Sequence, residues 1–243
     1  MTHDIKTTNA SLVSTAPEPL VSPDVTLAAN QCPTEDSALA LLERTDLLPD
    51  LVEKLSKSPA ASSRKVRLAM VRHPNTPRYV SLSVMRHMFT FDLMKVALTP
   101  VVAGDIKVAA EGLLINRLET ISPGEKLSLA RRASGRVAAE LLLDAEARVM
   151  QAALENPRLT EALVTNAVLR DQASPALVRA VCTHVKWSLR KEIRIAVLRN
   201  EYAPAEIALE FAQSLPDETV REILQNSRLP EDVKTCVARS SER

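Results

Sequence analysis

The chain has 243 residues, of which 46% are hydrophobic, enough to fill a sizeable core, and its formal net charge of +1 by itself selects no partner. Aromatic residues make up 2% and glycines number four, so the sequence lacks the side chains and turn residues of an all-β fold and points to helices. There is no basic-then-apolar leader and no apolar run of ~18 residues, which argues against a secretory signal or a membrane span and leads us to expect a cytoplasmic protein.

In chain order, residues 1–33 are punctuated by Ser, Thr, Pro and Asn without a sustained helical period and are expected to form a disordered arm. Residues 34–63 read as an N-terminal helical cap and linker: Asp36 is placed to cap a helix through Leu42, Leu47, Leu48, Leu51, Val52 and Leu55 form an apolar stripe, and Ser56 to Ser63 is a short connection.

From residue 64 to 243 the pattern repeats. Five positions, His73, Asn116, Asn156, Asn200 and Asn226, each end an apolar-periodic run, and four residues after them stand Pro77, Thr120, Thr160, Pro204 and Pro230. Seven residues before each anchor come Val66, Ala109, Val149, Ile193 and Thr219, and three before come Met70, Leu113, Ala153, Val197 and Ile223. Four before, a small residue (Ala69, Gly112, Ala152, Ala196) leaves room for a neighbouring helix in all copies but the last. A Pro or Thr after the anchor suits the first turn of a second helix, which in the second copy starts late, near Ser122.

The anchors are spaced by 43, 40, 44 and 26 residues, and the longer intervals match the ~40–47 residues of armadillo or HEAT units. Third helices are expected at Phe91–Leu98, Gly135–Leu143 and Pro175–Val185, and the short last copy reads as a terminal cap. The predicted fold is all-α, an α-solenoid of about four to five helical repeats.

The segments Arg67–Met85, Val149–Val164 and Ile193–Phe211 resemble the HEAT-like and leucine-rich repeat variant proteins of bacteria, in which an Asn-Pro-x-Thr-Pro turn joins two short helices. The resemblance covers about Arg64 to Ala238 and implies stacked helical pairs. It departs from the leucine-rich repeat variant in its longer unit and in having Cys32 alone where that family's founding example gathers the cysteines of an iron–sulfur cluster, so the cluster is not carried over. Fold alone does not select a function.

Chemistry is sparse. The four glycines are too scattered for a phosphate-cradling loop, Cys32, Cys182 and Cys236 have no metal-ligand spacing, and no nucleophile elbow or zinc-protease motif occurs. The sequence therefore calls for no cofactor, no metal and no catalytic residue. Charge is uneven: residues 1–56 hold nine acidic and three basic side chains, residues 57–104 one acidic and eight basic, and the rest twenty of each. Two groups follow as candidate partner-binding residues. Arg64, Arg67, Arg72, Arg78 and Arg86 form a basic stripe on the first copy, suited to an acidic surface or to phosphates. Trp187, Arg190 and Arg194 form a second group, combining residue types common at binding hot spots, although packing in the groove between copies is the favoured role for the indole.

The leading expectation is a non-catalytic scaffold or adaptor that binds a protein partner. The alternative is a nucleic-acid-binding solenoid resembling HEAT-like alkylpurine DNA glycosylases, which surround a carboxylate with tryptophans on a basic concave face. Trp187 is the only tryptophan here. Convergence of the first-copy arginines with Arg131, Arg132 or Arg190 on one face would favour the alternative.

Overall fold

The computed structural model describes residues 33–240, so the predicted N-terminal arm lies outside the described residues except for Pro33. Among the described residues there are fifteen α-helices, one 3-10 turn and no strand, in line with the all-α expectation.

α1 (Glu35–Leu42) and α2 (Pro49–Ser56) form the N-terminal pair, and the expected linker contains a 3-10 turn at Pro59–Ser62. The cap of α1 is Thr34, whose hydroxyl accepts the Ser37 N–H at 3.4 Å; Asp36, the predicted cap, sits inside the first turn. Next come α3 (Arg64–Arg72), α4 (Arg78–Met85) and α5 (Thr90–Leu98), then α6 (Gly104–Arg117), α7 (Pro123–Arg132) and α8 (Gly135–Leu141). A third group is α9 (Ala147–Leu154), α10 (Glu161–Leu169) and α11 (Pro175–Thr183). The chain continues through α12 (Lys191–Leu198) and α13 (Ala205–Gln213) to α14 (Asp217–Gln225) and α15 (Glu231–Ser240). The predicted third helices are thus α5, α8 and α11.

Local chemistry explains many of these starts. Ser122 caps α7 in a reciprocal box, its hydroxyl accepting the Glu125 N–H while the Glu125 carboxylate accepts the Ser122 N–H at 3.1 Å. Ser63 and Ser174 cap α3 and α11 through Lys65 and Leu177. Pro49, Pro123 and Pro175 occupy first-turn positions, where a missing N–H costs nothing.

The helices pack in order along the chain, and no principal contact joins elements more than two helices apart. The even-numbered helices form an unbroken row from α2 to α14. The odd-numbered row is looser, with no principal contact between α5 and α7 or between α11 and α13. Two buried clusters result. A small one joins Ala38, Val52 and Leu55 of the N-terminal pair to Val66 and Met70 of α3, so the pair completes its core on the helix beyond the predicted linker. The main one runs from Val71 to Val237.

A set of side-chain straps ties each turn to an earlier one. His73 Nε2 lies 2.8 Å from the Arg44 carbonyl, Asn156 Nδ2 donates to the Ala130 carbonyl at 2.7 Å, and Asn200 Nδ2 donates to the Val168 carbonyl at 2.7 Å. In each case the same side chain accepts the N–H two residues later, from Asn75, Arg158 and Tyr202. The Ala130 and Val168 carbonyls lie in the last turns of α7 and α10, where they have no intrahelical donor.

The other two predicted anchors are off by one residue. Asn116 is exposed inside α6, and Arg117 takes the strap role, donating to the Met88 and Arg86 carbonyls at 2.6 and 3.0 Å. Asn226 is exposed, while buried Ser227 accepts the Leu229 N–H at 2.9 Å. Shifting these two copies by one puts fully buried Ala110 and Val220 into the column that holds Val66, Val149 and Ile193. At Gly135, the first residue of α8, a Cβ would collide with the Arg158 carbonyl oxygen and come within 3.1 Å of Leu163 Cδ1. Here glycine is demanded by close approach of backbone.

Candidate functional site

The first-copy arginines are largely engaged within the molecule. Arg64 grips buried Asp92 with both ends of its fork, Nε to Oδ2 at 2.5 Å and Nη2 to Oδ1 at 2.9 Å, and its guanidinium lies 5.4 Å from the centre of the Phe89 ring. That bond holds the Arg64 pKa above its ordinary value. Arg67 donates to the Ala61 and His87 carbonyls at 2.8 and 3.0 Å, and Arg78 pairs with Asp105 at 2.7 Å. Arg72 and Arg86 are exposed and have no side-chain partner among the described residues. Asp92 is the lone acid of residues 57–104, and sequence gave no sign that it would be buried against Arg64.

In the second group the structure buries Trp187 to 1% exposure, with its indole N–H donating to the Leu154 carbonyl at 3.0 Å. The indole therefore pins the α11–α12 connection to the end of α9 and is not available to a partner. Lys186 lies over the ring, 3.9 Å from its centre. Arg194 donates to the Ser188 carbonyl at 2.8 Å and stacks on Phe211, so it too is committed to packing. Arg190 stands at the N-cap position of α12 without a side-chain capping bond, and its exposed side chain has no partner among the described residues.

A groove of about 610 Å³ opens beside this connection, between α7, α9 and α11. Its rim carries Arg131, Arg148, Gln151, Glu155, His184 and Val185, and Leu127, Ala152, Leu154 and Ala180 supply its apolar floor. None of the first-copy arginines lines it, so the convergence that would favour a nucleic-acid face does not occur in this recess. Arg131 and Arg148 are exposed and form no ion pair among the described residues. The His184 ring is oriented: Nδ1 accepts the Lys186 N–H at 3.1 Å, which leaves Nε2 as the N–H that donates to Glu155 at 3.1 Å. Comparison of the chain with protein-family models, curated proteins and solved structures finds no match.

Val185 is 84% exposed and Leu189 69%, on either side of buried Trp187. Leu189 borders a second recess of about 310 Å³ with Lys191, Arg194 and Leu215. The α11–α12 connection is thus a ridge of exposed aliphatic and basic side chains, nailed down by the indole, between two recesses. A third recess of about 180 Å³ holds Arg199, Asn200 and Arg228, the last paired with Asp171 at 2.5 Å.

The groove can seat an aliphatic chain on its floor and meet carboxylates with two guanidinium forks. Among the described residues no group of three His, Cys, Asp or Glu is arranged to hold a metal ion. Cys182 is buried and desolvation pushes its thiol up to about 11, which disfavours the reactive thiolate. No helix among the described residues is long and apolar enough to cross a membrane. Sequence reasoning named Arg131 only as a residue that others might join, and it passed over Arg148 and the Glu155–His184 pair. Glu155 and His184 are 29 residues apart, and no local spacing marks them as neighbours.

Proposed function

We propose that this chain is a non-catalytic interaction module, a helical-repeat solenoid acting in the cytoplasm as a scaffold or adaptor for a protein partner. Packing only between neighbours in chain order, together with straps that recur at His73, Arg117, Asn156 and Asn200, supports the solenoid reading. The observation that carries the functional reading is the α7–α9–α11 groove, where two arginines with no ion pair among the described residues stand beside an apolar floor and exposed Val185. Interfaces combine these features, an apolar centre and arginine-rich contacts.

A nucleic-acid surface built on the first copy has less support, because Arg64, Arg67 and Arg78 are already bonded inside the molecule. Capture on the immobilised full chain, at low and at high salt and with nuclease treatment, followed by reconstitution with each purified captured protein, tests the reading. A direct protein complex that survives nuclease is expected. Retention of nucleic acid alone, lost on nuclease treatment, refutes it.

A further inference from the structure

We propose that the groove between α7, α9 and α11 is a docking site for a short acidic peptide segment of a protein partner, with carboxylates on Arg131 and Arg148 and an aliphatic side chain on the floor between them. The proposal rests on the interaction-module reading and names what the module holds.

Charge complementarity is the first argument. Several arginines elsewhere in the molecule pair with an acid, among them Arg44 with Asp46, Arg64 with Asp92, Arg78 with Asp105, Arg170 with Glu140 and Arg228 with Asp171, while Arg72, Arg86 and Arg190 stand exposed outside the three recesses. Arg131 and Arg148 also have no ion-pair partner among the described residues, but they border a recess, the groove of about 610 Å³. The one acid on that rim, Glu155, is already engaged by the His184 N–H. What the groove lacks is an anion that presents a flat, two-oxygen face to a guanidinium fork, which is the geometry of Asp and Glu.

The floor decides between kinds of anion. A nucleic-acid strand is held by a track of cations and by aromatic rings on which bases stack. No Phe, Tyr or Trp lines this groove, and its base is aliphatic: Leu127, Ala152, Leu154 and Ala180. An exposed ion pair alone contributes little. Binding needs apolar burial beside it, and a Leu, Ile or Val flanked by acidic residues supplies both. The volume, about 610 Å³, falls within the ~300–1,000 Å³ range of ligand pockets, room for one or two side chains of a peptide.

The site is also pre-arranged. Leu154 on the floor is 2% exposed and its carbonyl is held by the Trp187 indole, while the Lys186 N–H and Glu155 hold the imidazole of His184 at both nitrogens. Less conformational freedom is then lost on binding.

The test is selection of short random peptides displayed on phage against the full chain, followed by anisotropy titration of the recovered peptides as labelled synthetics. Recovered sequences are expected to place Asp or Glu beside Leu, Ile or Val. They should bind R131E/R148E about tenfold or more weakly than the unaltered chain. They should bind R221E/R239E, an equal charge change at exposed arginines of α14 and α15 outside the groove, without loss. R131K/R148K, which keeps charge but removes the planar fork, should fall between. If R131E/R148E proves unfolded by thermal melting, Val185→Asp replaces it, because a side chain 84% exposed has no packing to lose and an added carboxylate on the rim should still repel the peptide. Recovery of neutral or basic peptides, recovery of none, undiminished binding to the groove variants, or displacement of the peptide by a single-stranded oligonucleotide at matching concentration overturns the proposal. A captured partner that binds R131E/R148E as well as the unaltered chain leaves the module reading standing and removes only the groove. Failure to obtain either a partner or a peptide removes both.

Discussion

Replacing Asn156 by Ala isolates the strap that joins α9 to the end of α7. The side chain is 1% exposed and makes three hydrogen bonds: Nδ2 to the Ala130 carbonyl at 2.7 Å, Nδ2 to the Ala133 carbonyl at 3.2 Å, and the Arg158 N–H to Oδ1 at 2.8 Å. Alanine leaves two carbonyls and one N–H without these partners in a site that excludes most water. A buried group left unsatisfied costs ~1–3 kcal/mol, and partial relaxation and water entry reduce the sum, so we expect a loss of about 3 kcal/mol. For a chain of this size that corresponds to a fall of roughly 6–12 °C in melting temperature. Asn116→Ala is the control: it occupies the equivalent place in the sequence alignment but is exposed within α6, and it should change stability by less than about 0.5 kcal/mol. Urea denaturation of both variants, followed by far-UV circular dichroism, measures the difference. Equal losses in the two variants, or an Asn156→Ala midpoint at the wild-type value, would refute the assignment of the straps.

The same reasoning predicts that His73→Asn is nearly neutral in denaturation midpoint, because Asn reproduces at positions 156 and 200 the donor and acceptor pair that His73 offers to Arg44 and Asn75, whereas His73→Ala should cost about 2 kcal/mol. Gly135→Ala should destabilise by ~1–3 kcal/mol even though alanine is the better helix former, since its Cβ meets the Arg158 carbonyl; an unchanged or raised melting temperature would show that α8 can shift to accept it. Iodoacetamide at neutral pH should alkylate exposed Cys236 well before Cys182, whose thiol is held up to about 11 by burial. The thiolate that reacts is therefore scarcer as well as less accessible at Cys182, and peptide mass mapping over time reads the order.

Much of the helical order was legible in the sequence because its signals act over one turn. The Ser122–Glu125 box, the Ser174 cap and the first-turn prolines announce helix starts within four residues of themselves, and the late start of α7 near Ser122 follows from them. The apolar columns at Val66, Val149 and Ile193 are buried as their spacing requires. Where the columns slipped, at Asn116 and Asn226, the cause was physical: several side chains satisfy the same backbone carbonyls. An arginine one residue on reaches back as far as an asparagine does, and a serine holds the following turn, so the anchor need not keep one residue type.

The candidate site was scarcely legible, because the contacts that fix its shape and charge mostly join residues far apart in the chain. Asp92 neutralises Arg64 across 28 residues, the Trp187 indole reaches Leu154 across 33, and His184 meets Glu155 across 29. Composition presented the first-copy arginines as a free basic stripe, yet a charge count records how many guanidiniums exist and not where each one points. The amino-acid sequence by itself determined that this chain forms short capped helices with apolar faces, since propensity, capping and periodicity are settled by near neighbours. Only the tertiary structure decided which arginines stay unpaired, that Trp187 is a pin, and that a groove opens between α7, α9 and α11, because these depend on how successive helices lie against one another, and side-chain hydrogen bonds spanning 23 to 33 residues hold them there.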